Sequence, residues 1–315
     1  MDRHTAGFDQ LVRFWLETAP ARGVVARFDA SLAAALEHHD YPPAVAQRLR
    51  ELSAAATLLA SNLKQPAQVI LQAQGSGDVP LLCVEATEKL SFRAYANVRE
   101  GVQIDAETDL ASLVAATAAD ARFVLSIAPE QGQMYQGIVA LRGGTVADLL
   151  ADYLSNSQQT QTRLWLRADG EAIEALLLER LPDVQSAPRA GVENADPDAA
   201  WDQVIAQAEA TFAVPFMPFP YAQWLGFTFA DHDVRMDTAQ PVHFACACTM
   251  ERVLNALKLV GEAEIMPLAA ENGHVETRCE FCGKRYTVGA RELSSLFTAA
   301  EQHDGTHPPT SSTLQ

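Results

Sequence analysis

Basic residues are scarce in this chain: its 315 residues carry 23 Lys and Arg against 40 Asp and Glu, a formal net charge of −17. A surface so acidic repels phosphate backbones and anionic headgroups, so neither nucleic acid nor a membrane is an expected partner. No run of about 18 apolar residues is available to cross a bilayer. The opening residues 1–5 lack the basic and apolar regions of a secretory signal, and the expected compartment is the cytoplasm. Neither a G-x-x-x-x-G-K-[ST] phosphate loop nor a G-x-S-x-G nucleophile elbow occurs. Cysteine is sparse too. Five cysteines, unevenly placed, do not make a secreted disulfide scaffold.

Apolar residues are plentiful, at 48% of the chain, and the length suits two domains of about 100–200 residues each. Strand and helix patterns alternate over residues 1–182. Strands are expected at 22–28, 68–74, 79–85, 91–98, 122–128, 134–141, 163–167 and 175–181. Helices are expected at 31–38 behind Asp29 as its cap, from Pro42-Pro43 to about residue 64, and from Thr145, where Asp148 completes a capping box. The expected class is α+β on a largely antiparallel sheet. From Asp183 the composition shifts to Ala, Pro, Asp and Gly, which marks residues 183–230 as a linker with short helices at about 199–212 and up to 229. Its large side chains, Trp201, Phe216, Phe219, Trp224 and Phe227, need a surface to cover them. A small unit over 231–302 and a disordered tail over 303–315 complete the expected organisation.

Four of the cysteines crowd into that small unit: Cys246-Ala247-Cys248, 30 intervening residues, then Cys279-Glu280-Phe281-Cys282. A C-x-x-C followed by Gly283 and Lys284 has the form of a zinc knuckle, and four thiolates around Zn²⁺ make a closed tetrahedral site. Such a site is formally doubly negative, and Arg252, Arg278, Lys284 and Arg285 are near enough in sequence to offset it. Two readings stay open on spacing alone. Zinc simply staples a unit with little core, or the cluster is a switch, because each thiolate has a resolving thiol two or three residues away and oxidation would remove the metal's ligands.

The chain resembles the 33 kDa chaperonin family, the redox-regulated holdase chaperones of bacteria. The resemblance rests on Leu36-Glu37-His38-His39-Asp40-Tyr41-Pro42, the Gln72-Ala73-Gln74-Gly75-Ser76-Gly77 turn, Tyr135-Gln136-Gly137-Ile138-Val139 and Leu149 to Tyr153. It extends through Phe244-Ala245-Cys246-Ala247-Cys248 and Cys279 to Tyr286. The resemblance implies one zinc per chain on Cys246, Cys248, Cys279 and Cys282 in a reduced, inactive form. It implies that oxidation pairs Cys246 with Cys248 and Cys279 with Cys282, releases zinc and unfolds the small unit and linker. Trp201, Phe216, Phe219, Trp224 and Phe227 would then leave the N-terminal domain and hold unfolded client proteins. A homodimer when oxidised, hand-over of clients to ATP-dependent chaperones and the absence of enzymatic activity are implied as well.

The remaining reactive residues read as structural. Cys83 sits in an apolar strand as a small hydrophobe. His243 stands three residues before Cys246, where four cysteines already suffice, and His38-His39 suit a helix end. Gly75-Ser76-Gly77 and Gly143-Gly144 are turns. Two other functions compete with the holdase: a thiol-disulfide oxidoreductase, for which no thioredoxin-like context exists, and a structural zinc-ribbon interaction module, which the net charge opposes as a nucleic-acid binder.

Overall fold

The computed structural model describes residues 8–117, 120–141, 143–157, 161–182 and 196–304. Contacts divide the chain into two units, residues 1–245 and 246–315. The expected boundary at 230/231 therefore moves fifteen residues towards the C-terminus. The first part of the expected linker, 183–195, and the tail from 305 lie outside the described residues.

In the first unit, β1 (Gln10–Leu16) and β2 (Ala21–Phe28) form a hairpin that leads into α1 (Ala30–Leu36) and α2 (Pro43–Ser61). Asp29 precedes α1 without capping it through its side chain. The carboxylate of Asp9 does so instead, accepting from the N–H groups of Asp29, Ala30 and Ser31 at 2.9–3.1 Å. There follow β3 (Ala67–Gln74), β4 (Leu81–Thr87), β5 (Ser91–Asn97), α3 (Leu110–Val114), β6 (Arg122–Pro129), β7 (Tyr135–Ala140) and α4 (Val146–Ser157). The capping box at α4 forms as expected: Asp148 N–H donates to Thr145 Oγ1 and Thr145 N–H donates to the Asp148 carboxylate. The unit continues with β8 (Thr162–Asp169), β9 (Ala172–Arg180), α5 (Pro197–Phe212) and α6 (Tyr221–Thr228). It ends in the short β10 (Val234–Met236), β11 (Gln240–Pro241) and β12 (His243–Phe244).

These strands build two six-stranded sheets. The first runs β10-β1-β2-β9-β8 with β11 also on β1; the second runs β12-β5-β4-β3-β6-β7. Every pairing is antiparallel except the parallel β12–β5. α2 packs against strands of both sheets. Its Leu49, Leu52 and Leu58 are fully buried in the main core with Val24, Leu71 and Leu177. The Gly75-Ser76-Gly77 turn is fixed by close packing: a Cβ on Gly75 would lie 2.0 Å from the Val114 carbonyl oxygen.

β9 is buried along most of its length because both of its faces are covered. Ile173, Ala175 and Leu177 join the main core, while Leu176 and Leu178 join a second cluster on the opposite face with Val12, Phe14, Leu16 and Val25. That second face is covered by α5 and α6 through Trp201, Val204, Ala208, Tyr221, Trp224 and Leu225.

The second unit comprises α7 (Met250–Val260), α8 (Glu262–Asn272), a hairpin of β13 (His274–Arg278) and β14 (Arg285–Gly289), and α9 (Ala290–Asp304). Its core is small: Leu257, Ile265, Ala269, Val275, Val288, Leu293 and Phe297. No helix among the described residues is long and apolar enough to cross a membrane.

Candidate metal centre and the linker

The β13–β14 hairpin presents Cys279 and Cys282 in its connecting turn. Gly283 N–H donates to the Cys279 carbonyl at 2.8 Å, and Cys279 N–H donates to the Lys284 carbonyl at 2.9 Å. Gly283 takes a φ of +66°, which glycine adopts without strain. Cys246 and Cys248 lie just ahead of α7, whose cap Thr249 accepts from Arg252 N–H at 3.2 Å. Cys248 thus directly precedes the positive end of that helix, favourable for a thiolate.

The four sulfur atoms all lie within 4.8 Å of one another. Cys246 Sγ is 3.7 Å from Cys279 Sγ, and Cys248 Sγ is 3.4 Å from Cys282 Sγ. A tetrahedron with Zn–S bonds of about 2.3 Å has sulfur–sulfur edges of about 3.8 Å, so this donor set fits a zinc-sized soft cation. The charges around it fit as well. Arg278 and Arg285 are directly opposed across the hairpin, an arrangement that costs stability unless negative charge lies nearby. A tetrathiolate centre supplies that charge. Cys248 Sγ also accepts a hydrogen bond from Tyr286 Oη at 3.1 Å, and Lys284 Nζ sits 5.0 Å from the centre of the Tyr286 ring.

The thiols differ in acidity. Burial pushes Cys248 up, but hydrogen bonds from Tyr286 and the other three cysteines outweigh it and bring the thiol down to about 7. Burial raises Cys279 and pushes Cys282 up to about 12. Binding a cation here therefore displaces protons. None of the four is in a disulfide, and close sulfur–sulfur approaches join the C-x-C element to the C-x-x-C element. His243 is not part of the cluster; it belongs to β12, which pairs with β5. Cys83 is buried in β4, where burial pushes its thiol up to about 11.

Of the five aromatic residues singled out in the linker, Trp201 and Trp224 are buried against the first sheet, and Phe219 is packed at the edge of the same cluster. Phe216 packs with Phe8 and Ala172. Phe227 departs from expectation. It is 58% exposed, because it points away from the α6 face that Tyr221, Trp224 and Leu225 bury, so no unfolding is needed to uncover it. Sequence reasoning passed over Tyr286 and the row formed by Arg27, Glu174 and Arg167, described below. Tyr286 had a signal in its position, four residues after Cys282 and beside two basic residues.

Comparison with known proteins places this arrangement among relatives. A family model described as Hsp33 protein matches residues 9–289. The chain is 35% identical over 292 residues to the 33 kDa chaperonin of Methylobacillus flagellatus, covering 92% of this chain and 94% of that protein. It is 37% identical over 286 residues to the 33 kDa chaperonin of Pseudomonas savastanoi pv. phaseolicola, covering 90% and 92%. The crystal structure of the 33 kDa chaperonin (heat shock protein 33 homolog) from Thermotoga maritima superposes with a TM-score of 0.73 at 15% identity, covering 93% of this chain and 99% of that one. At that identity the likeness speaks for the fold.

Proposed function

Because the chain belongs to the Hsp33 protein family, we propose that it is a redox-regulated, ATP-independent holdase that keeps unfolding proteins from aggregating. The observation that carries this reading is the convergence of Cys246, Cys248, Cys279 and Cys282 on one point in a unit whose apolar core is small. One zinc per chain is the cation the four thiolates would hold, and it would supply a closed structural link with no open coordination position.

Activation is a thiol reaction. A two-electron oxidant such as peroxide converts one thiolate to a sulfenic acid, releasing hydroxide. The neighbouring thiolate then displaces a second hydroxide and closes the S–S bond. Repeated once, this consumes all four metal ligands, with Cys246 paired to Cys248 and Cys279 to Cys282. The metal-binding free energy of such a unit is largely its folding free energy, so the second unit unfolds. The strands that join α6 to Cys246 are only two or three residues long, and we infer that they detach from β1 and β5 in turn. α5 and α6 then lift from the first sheet and expose Trp201, Phe216, Phe219 and Trp224 with the face beneath them, a patch able to bind unfolded clients. The net charge of −17 keeps molecules with such a patch apart. In this reading the protein works in the cytoplasm without catalysing a reaction, dimerises when oxidised, and passes clients to ATP-dependent chaperones.

Light scattering of an aggregating client tests the proposal with reduced protein, peroxide at low temperature, peroxide with heat, and heat alone. Suppression is expected to be strongest with peroxide and heat together, because the Cys246–Cys248 bond closes a tight ring that a rigid metal-shaped turn disfavours. Equal suppression by heat alone, with all four thiols still reduced, would refute the switch. Peptide mapping of the oxidised protein should recover disulfides within each element; bonds joining Cys246 to Cys279 would refute the pairing.

A further inference from the structure

Glu174 stands between two arginines on the face of the first sheet that α5 and α6 cover. Register puts Arg27 of β2 and Arg167 of β8 directly beside it on either side. Arg27 Nε donates to Glu174 Oε1 at 2.9 Å and Arg167 Nη2 donates to Oε2. Arg27 is fully buried and Glu174 nearly so. One carboxylate balances only one of two guanidinium charges, and a buried charged group is tolerated only when further hydrogen bonds satisfy it.

Three such bonds go to one short segment, residues 211–221. Arg167 Nη1 donates to the carbonyls of Thr211 at 2.8 Å and Val214 at 2.6 Å, and Arg27 Nη1 donates to the carbonyl of Phe219 at 2.5 Å. The same guanidiniums sit over rings of the segment: Arg27 at 4.8 Å from Tyr221 and 5.3 Å from Phe216, Arg167 at 4.8 Å from Phe212. The segment reads TFAVPFMPFPY, with no charged residue in a chain of net charge −17. Its three prolines favour an extended backbone that offers carbonyls outward.

We propose that Arg27, Glu174 and Arg167 form a polypeptide-recognition centre whose resident ligand is residues 211–221 and which, once vacated, takes extended, uncharged, aromatic-rich segments of client proteins. The features it grips are backbone carbonyls, present in every polypeptide, and aromatic rings, which unfolding proteins expose. Such a site selects for exposed core sequence without demanding one particular sequence. This rests on the reading that oxidation lifts the linker, and the test separates the two.

Amide exchange on the reduced, zinc-bound full chain addresses the grip without any oxidation. Arg167→Leu should speed exchange in residues 211–221 about tenfold, the loss of one or two charge-assisted hydrogen bonds, and leave β9 unchanged. Arg167→Lys, which keeps the charge and loses the planar fork, should give a smaller increase. A fluorescein-labelled TFAVPFMPFPY peptide, titrated into the full chain, should bind the peroxide- and heat-treated protein and not the reduced form. Arg167→Leu, or alanine at both positions of the peptide that correspond to Phe212 and Phe216, should weaken that binding about tenfold. Unchanged exchange in Arg167→Leu, or acceleration spread equally over β9, would overturn the proposal, as would equal peptide affinity with and without Arg167. If the grip is found in the reduced protein but oxidation neither frees 211–221 nor suppresses client aggregation, the holdase reading fails, and with it the client-binding half of the proposal, while the grip on 211–221 stands. If aggregation is suppressed and Arg167→Leu changes nothing, the centre fails and the holdase reading stands.

Discussion

Leu49, Leu52 and Leu58 on α2 are fully buried among strands of two sheets, whereas Leu259 on α7 is 90% exposed and Val260 beside it 56%. The first unit is held by a core between its two sheets and by burial on the other face of the first sheet; the second has, among the described residues, seven core residues and four converging thiols. A core of that size rarely supplies more than about 3–5 kcal/mol, while structural zinc sites contribute apparent free energies of about 10–16 kcal/mol. In the reading proposed above, one chain joins a unit that would keep its stability on oxidation to a unit whose stability loss of the metal would remove. That difference is what a switch needs. On that proposal the sensor would unfold while the surface it uncovers kept its shape.

The largest expected effect tests this contrast directly. Cys279→Ser, or chelation of the metal, should leave residues 246–304 without protected amides while the core strands of the first unit exchange as before. A thiol-reactive mercurial should release one zinc per reduced chain. Full metal occupancy in Cys279→Ser would break the comparison at its root.

Thiol chemistry sharpens it next. After chelation at pH 8, the four cysteines of an unfolded second unit should react with iodoacetamide as ordinary thiols. Cys83 is buried with its thiol pushed up to about 11 and should react at least ~100-fold more slowly. Its rate should climb with pH towards 11, because the thiolate fraction rises tenfold per unit below the pKa. The sign for stability follows. An unfolded chain ionises this thiol from the ordinary value of 9.0, so the first unit loses stability as pH rises from there towards 11. Rapid modification of Cys83 in chelated protein would mean that the first unit opens with the second.

Core substitutions give a smaller effect of the same form. Leu52→Ala should cost the first unit about 2–5 kcal/mol in denaturant unfolding and leave metal affinity unchanged. Leu259→Ser should change neither by more than about 0.5 kcal/mol, since Leu259 is 90% exposed. A large metal-affinity change in Leu52→Ala would show that the units share stability.

Much of this was legible in the sequence, and the division follows how local each signal is. Alternation marked β3, Pro42-Pro43 marked the start of α2, and Thr145 with Asp148 marked α4, because each signal lies within the element it specifies. The cysteine cluster was legible because ligand spacing is itself the chemistry. What escaped depends on partners far along the chain. β10, β11 and β12 are too short to show a period, and their pairing with β1 and β5 is what shifts the boundary between units to 245/246. The row of Arg27, Glu174 and Arg167 exists only once β2, β9 and β8 are in register. The exposure of Phe227 follows from which side of α6 meets the sheet, and a helix of eight residues rich in apolar side chains does not announce that side.

The smallest predicted effect concerns helix caps, where local and distant signals diverge within one motif. α7 is capped by its own Thr249, next to Cys248; α1 is capped by Asp9, twenty residues before Asp29 and across a hairpin. Removing either cap should cost about 1 kcal/mol, within the usual 0.5–2 kcal/mol. The two losses should be read in different quantities. Folding of the second unit is coupled to metal binding, so Thr249→Ala should weaken zinc affinity about fivefold and leave urea unfolding of the first unit unchanged. Asp9→Ala should lower the urea midpoint of the first unit with zinc affinity unaltered. Asp29→Ala should cost less than Asp9→Ala, because the Asp29 side chain makes no cap hydrogen bond to α1 and the capping carboxylate is that of Asp9. If Asp29→Ala proved as costly as Asp9→Ala, the cap would be local after all. If Thr249→Ala left zinc affinity intact, α7 would not fold as one with the metal site.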